Sequence, residues 1–223
     1  MHIYLSYMKY IITEHQLNLL KEQWYDPSTW FGGDKTNCST EKIEASNWKD
    51  LYSKLVKNKL IQKGDDLLIV WGPNQTGYYT QDGKSASKTF KVSTGANGFG
   101  NEPDNKQTPM GLLQIAGKIK GKPFEVLVGK TPTGTILGPN MDSSRIDQRG
   151  NKHVAEVLTG ILELDGMEPC NKNAFSRNIY FHGTNKENKL GGAHSNGCVR
   201  VSNNEIQWLL NNISKGTKVY IYP

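Results

Sequence analysis

The chain has 223 residues, 36% of them apolar and 22% charged, with 23 glycines and a formal net charge of +6. This is the balance of a soluble globular protein with one substantial core, and the glycine content leans toward turns and β-structure. No stretch approaches eighteen apolar residues, which excludes a transmembrane helix, and the basic residues never run to five in a row, so the charge reads as solvated surface rather than a nucleic-acid interface.

In chain order, the start MHIYLSYMKYIITEHQ lacks a leading basic region, an unbroken apolar centre and a small-residue cleavage site, and is not read as a secretory signal. Residues 1–63 are expected to form a small helical N-terminal region of unknown role. Thr13 and Gln16 have capping-box spacing, and Leu17, Leu20 and Trp24 follow at helical steps. After a turn-rich stretch at 26–40, a second helix is expected from Ser46. Trp48, Leu51, Tyr52, Leu55 and Val56 then make one apolar stripe, a packing surface or a recognition groove.

From residue 64 the texture changes to short strands, and 64–223 is expected to be one mainly β domain, a sandwich or partly open barrel with a late helix. DLLIVWG (66–72) is a buried-strand run, and Asp82 and Gly83 mark a hairpin turn within 76–95. Strand patterns continue at 111–117, 123–129, 156–164 and 178–183. Ser202 and Glu205 form a second capping box, opening a helix through residue 213, and KVYIYP closes the chain as a strand. Two loops, 94–107 and 130–153, are long for a compact domain and suit lids or binding segments.

Three cysteines occur. Cys38 and Cys170 are able to pair in an oxidising compartment, although nothing in the sequence requires it. Cys198 lies in AHSNGCVRV (193–201), a polar, glycine-flanked setting unlike that of most core cysteines. As a nucleophile it needs a base. His194 sits four residues upstream in a glycine-rich turn, whereas His182 ends the strand NIYFHG, and a strand end holds a proton acceptor more rigidly than a loop does. Arg200, two residues on, points to the same side of a strand as Cys198 and suits a substrate carboxylate. Two other readings stay open at this stage. Cys198 suits a buried core position, and His182, His194 and Cys198 suit three zinc ligands, though no CxxC, HExxH or adjacent acid completes such a site.

The segment from ILELDG to GCVRV resembles the catalytic core of the L,D-transpeptidases, the YkuD family. The matching residues are His182, Gly183 and Thr184, followed by Ser195, Asn196, Gly197, Cys198, Val199 and Arg200. Upstream, VSTGANG (92–98) and TPMGLLQI (108–115) resemble that family's strands, so the resemblance spans about 66–223. It implies a β-sandwich-like domain that needs no metal or organic cofactor. It implies a Cys198 nucleophile, a His182 base held by the Gly183 carbonyl, and an oxyanion hole from the Gly197 and Cys198 amides. Ser195, Asn196, Thr184 and Arg200 are then expected to shape the cysteine loop or bind substrate. Asn196 stands where the family often has His. The implied partner is the peptidoglycan stem peptide. Crosslinking to a second stem or exchange of the terminal D-amino acid is the first reading, with carboxypeptidase action or an inactive wall-binding module as alternatives. A location in the cell envelope or periplasm and a monomer are the further expectations.

Overall fold

A computed structural model describes residues 38–41, 43–102, 105–137, 144–146, 152–154 and 157–223, all within the unit Asp34–Pro223. The helix expected around Leu17, Leu20 and Trp24 lies outside the described residues. The strands are β1 (Leu67–Trp71), β2 (Thr76–Thr80), β3 (Lys88–Lys91), β4 (Gly111–Lys120), β5 (Glu125–Val128) and β6 (Thr131–Ile136). They continue as β7 (Ser144–Ile146), β8 (Lys152–Val154), β9 (Leu158–Gly166), β10 (Tyr180–Gly183), β11 (Val199–Val201) and β12 (Lys218–Tyr222). Two α-helices are described, α1 (Trp48–Lys57) and α2 (Asn203–Asn212). The fold is therefore mainly β. The expected loop 130–153 contains β6 and β7 and the start of β8, and β7 pairs with β8 in a small separate sheet.

The main sheet runs β11-β10-β9-β4-β12-β1-β2-β3, with β5 pairing β9 and β6. Its neighbours are antiparallel except β1–β12 and β10–β11, which are parallel. All five residues of β1 are buried, because the two faces of the strand pack against different layers. Leu68 and Val70 join Leu113, Leu162, Phe181, Val219 and the α2 residues Ile206, Leu209 and Leu210 in the principal core. Leu67, Ile69 and Trp71 face the other way, with Leu112 and Tyr220, onto Leu51, Tyr52 and Leu55 of α1. A strand buried on both faces loses its polar alternation, which is why 66–72 reads as a continuous apolar run.

The stripe on α1 is thus a packing surface, and the packing joins residues on both sides of position 63. Asn47 caps the helix, its Oδ1 accepting from the N–H groups of Lys49 at 3.0 Å and Asp50 at 3.1 Å. The hairpin marked by Asp82 and Gly83 has a seven-residue connection, 81–87, in place of a two-residue turn. Asp82 Oδ1 accepts from the N–H groups of Lys84 and Ser85, and Gly83 (φ +69°) lies so close to the Tyr52 ring that a Cβ would stand 2.1 Å from it. Cys38 and Cys170 are joined in a disulfide with their Cα atoms 5.6 Å apart. No helix among the described residues is long and apolar enough to cross a membrane.

Candidate active site

The site sits at the β10–β11 edge of the sheet. These strands run parallel with Phe181 opposite Val199, His182 opposite Arg200 and Gly183 opposite Val201. Phe181, Val199 and Val201 point into the principal core. Side chains alternate along a strand, so Tyr180, His182, Cys198 and Arg200 share the opposite face. There Cys198 packs against the small cluster Leu127, Ile161 and Tyr180. Cys198 is the cysteine outside the disulfide and is partly exposed.

His182 is buried, and its Nδ1 lies 2.8 Å from the Gly183 carbonyl oxygen. That oxygen only accepts, so Nδ1 is the protonated nitrogen and Nε2 of the neutral ring is the basic one. The glycine is needed for space. A Cβ on Gly183 would stand 2.6 Å from Asn203 Oδ1 and 2.7 Å from the Leu158 carbonyl. Beside it the β9–β10 pairing slips between His182 and Gly183, and Thr159 takes a φ of +68°, a costly backbone for a β-branched residue. The Thr159 hydroxyl donates to Asn203 Oδ1, at the start of α2. The histidine is therefore set by a β-bulge and a helix start rather than by a loop.

The cysteine loop is braced from three sides. Ser195 Oγ donates to the Cys198 carbonyl at 2.6 Å and accepts from the Gly197 N–H at 3.0 Å. Thr108 Oγ1 donates to the Gly197 carbonyl at 2.8 Å and accepts from the Gly95 N–H at 2.8 Å. Ser93 and Arg200 exchange two backbone hydrogen bonds of 2.9 Å, and the Ser195 N–H donates to the Thr94 carbonyl. Ser93, Thr94, Gly95 and Thr108 thus hold the loop from behind. Gly197 has φ +127°, with Gln107 O and Ile179 Cδ1 at 3.1 and 3.2 Å from where a Cβ would stand.

The expected residues take these places. The Gly197 N–H donates to Ser195 Oγ. Thr184 is fully buried, and its Oγ1 accepts from the Lys186 N–H while its carbonyl accepts from Asn203 Nδ2, so it braces the α2 junction and offers no surface to a substrate. Arg200 is buried and its Nη1 donates to the His194 carbonyl at 3.0 Å, which fixes the loop. His194 and Asn196 are exposed. The three-ligand zinc reading does not converge. Among the described residues, ligand atoms of three such groups meet only at Cys38, Glu168 and Cys170, where two of the three form the disulfide.

Two contacts were not legible in the motif. The Cys198 thiol donates to the Asn178 carbonyl at 3.4 Å, and Arg177 Nη2 donates to the Gln107 carbonyl at 2.7 Å. Burial first, then the charges of Cys198 and Glu163, pushes the Tyr180 phenol up to about 12. It is a proton donor at neutral pH, and it donates to Asn178 Oδ1 at 2.6 Å.

Comparison with known proteins bears on this constellation. The L,D-transpeptidase catalytic domain of the YkuD family matches residues 65–221. The Bacillus subtilis (strain 168) protein "Putative L,D-transpeptidase YqjB" is 48% identical over 128 residues, covering 52% of this chain and 68% of that one. Among solved structures, an L,D-transpeptidase from Mycobacterium smegmatis is 17% identical with a TM-score of 0.44, covering 71% of this chain and 59% of that one. L,D-transpeptidase 3 from Mycobacterium tuberculosis, in complex with a faropenem-derived adduct, is 17% identical with a TM-score of 0.42, covering 71% and 60%. The chain thus spans less than two thirds of those two structures. The match over 65–221 and the identity to the B. subtilis relative place this chain in the YkuD L,D-transpeptidase catalytic domain family.

Proposed function

We propose that the chain is a cysteine-dependent L,D-transpeptidase acting on peptidoglycan stem peptides. The observation that carries the reading is the shared face of β10 and β11, where Cys198, one residue before β11, falls on the same side as a buried His182 whose Nδ1 is tied to the Gly183 carbonyl. A pure wall-binding module has no chemical need for that pair.

In this reading His182 Nε2 takes the Cys198 proton, and the thiolate attacks the carbonyl of the third residue of the donor stem. A C–S bond forms and the C–N bond to the terminal D-alanine breaks. The imidazolium returns its proton to the leaving amine, which leaves a thioester. An amine of a second stem then attacks, gives its proton to His182 and expels the thiolate, and the product is a new amide, a 3-3 crosslink. Since Ser195 holds the Gly197 amide, the Cys198 amide is assigned as the first oxyanion donor. Gly183 orients the base, while Ser195 and Arg200 hold the nucleophile's loop. Asn196, exposed beside the cysteine, is the loop residue best placed to meet substrate. A Cys38–Cys170 disulfide fits an oxidising compartment, which supports a cell-envelope location.

The test is intact mass after mixing with a carbapenem, whose strained lactam mimics the acyl donor. Wild type should gain one drug mass and Cys198→Ala none. An unmodified wild type would sink the acyl-transfer reading. Digestion of muropeptides with the same protein then separates crosslinking from exchange of D-alanine or its release to water.

A further inference from the structure

We infer that Asn178 is a positioning residue that holds the resting Cys198 as a protonated thiol, and that the Tyr180 hydroxyl locks it in that role. The inference rests on the reading of Cys198 as the nucleophile, but not on the identity of its substrate.

The argument starts in the turn before β10. The Ile179 N–H donates to the Ala174 carbonyl at 3.1 Å and the Asn178 N–H to the Phe175 carbonyl at 3.0 Å. These are the two bonds of a Schellman motif, which requires a left-handed residue at its end. Asn178 supplies it, with φ +55°. Asparagine is one of the few side chains that adopts this backbone routinely. The left-handed turn reverses the peptide plane, and the Asn178 carbonyl accepts from Cys198 Sγ. The Asn178 side chain is exposed, yet its Oδ1 is taken by the buried Tyr180, two residues on. The turn itself is anchored at its base. Asn171 Nδ2 donates to the carbonyls of Met110 and Leu112, the Glu168 carboxylate accepts from the N–H groups of Ser39 and Leu112, and Cys170 is joined to Cys38.

A carbonyl that accepts from a thiol favours the neutral form and opposes the thiolate. The titratable and charged groups sharing the face with the thiol, among the described residues, are His182 and Tyr180 on β10, Arg200 on β11, and Glu163 on β9 with Lys130 paired to it. His182 and Arg200 pull toward the thiolate, and Asn178 with Glu163 pulls against it. Tyr180 is spent on Asn178 rather than on the sulfur. The resting enzyme thus keeps its nucleophile capped, and ionisation waits for a substrate that draws Cys198 off the carbonyl toward His182.

The experiment is the pH dependence of iodoacetamide alkylation of the full chain. Cys198 alone reacts, since the other two cysteines are joined. Asn178→Gly keeps the left-handed backbone and the carbonyl but removes the acceptor for Tyr180. Tyr180→Phe removes the donor. Each variant frees the carbonyl to drift, and the alkylation midpoint is expected to fall by about half a pH unit, roughly threefold more thiolate at neutral pH. The double variant should shift no further than either single one. A loosened turn lowers the melting temperature without moving the midpoint downward. An Asn178→Gly midpoint that stays at the wild-type value or rises overturns the inference, even if Tyr180→Phe shifts, because the phenol would then act on the sulfur directly. Failure of the wild type to form a carbapenem adduct would overturn the proposed function and leave this profile standing.

Discussion

The centre of the sheet and its β10–β11 edge use the same alternation of side chains for opposite ends. At β1, both faces are apolar, with Leu68 and Val70 turned to α2's side and Leu67, Ile69 and Trp71 to α1's. At β10 and β11, Phe181, Val199 and Val201 enter the same principal core, while the other face carries Tyr180, His182 and Arg200, with Cys198 at its mouth. The edge is anchored through one face and, in the proposed function, does its chemistry on the other. The centre has no second face to spare, because α1 covers it. Substitutions at the edge's polar face should therefore strip activity from a folded protein, and substitutions at the centre should strip stability from a competent site.

The largest effect expected from that contrast is at the histidines. His182→Ala should reduce the rate of adduct formation by about 10²–10⁴-fold, the range for losing a positioned base, when assayed well below its melting temperature. His194→Ala should keep most of the rate, since its imidazole is exposed and the contact it gives the site, a carbonyl accepting from Arg200, belongs to the backbone. Equal losses at both positions would break the assignment of His182 as base.

The complementary experiment is at the centre. Leu55 is fully buried on α1 against the β1 and β12 side chains. Leu55→Ala should cost about 2–5 kcal/mol in urea unfolding, because the methyl groups are lost and a cavity remains. Below its lowered melting temperature the variant should form the carbapenem adduct at close to the wild-type rate. A large loss of rate in the folded variant would mean that the α1 face and the edge are energetically one region.

The sequence is a good guide to the parts of this contrast that are local. The apolar run 66–72, the stripe from Trp48 to Val56 and the Ser202 cap, whose Oγ accepts from the Glu205 N–H at 3.1 Å, each follow from period or capping chemistry within a few residues. The family motif sets His182 on β10 and Cys198 immediately before the neighbouring β11. What it does not disclose is which polar atoms find each other over distance. Thr184 reads as part of the histidine motif, and its burial and its bond from Asn203 on α2 come from contacts the motif does not contain. Gly197 offers an amide on paper, and Ser195 Oγ takes it. Asn178 reads as the first residue of the strand 178–183, and its proposed role depends on a left-handed turn and on a thiol twenty residues later. Cys38 and Cys170 are 132 positions apart, so their pairing rests on the turn that carries Cys170.

The smallest expected effect lies on the β1–β12 side, where Lys218 Nζ donates to Asp65 Oδ2 at 2.6 Å. That hydrogen bond, with the Gln62 N–H and the lysine's charge, holds the Asp65 carboxyl below its ordinary 3.8 despite partial burial. A carboxylate whose folded pKa is depressed adds stability that is present above 3.8 and is lost as the pH falls through the lowered value. Both side chains are partly solvated, so the gain at neutral pH should be less than about 1 kcal/mol. Asp65→Asn should therefore lower stability slightly at pH 7, and the gap from wild type should close as the solution is acidified below the usual carboxylate range. The adduct rate at pH 7 should not change, since Asp65 is remote in register from β10. A stability gap that stayed constant down to the acid limit would show that Asp65 acts through packing or its neutral hydrogen bonds, and not through its charge.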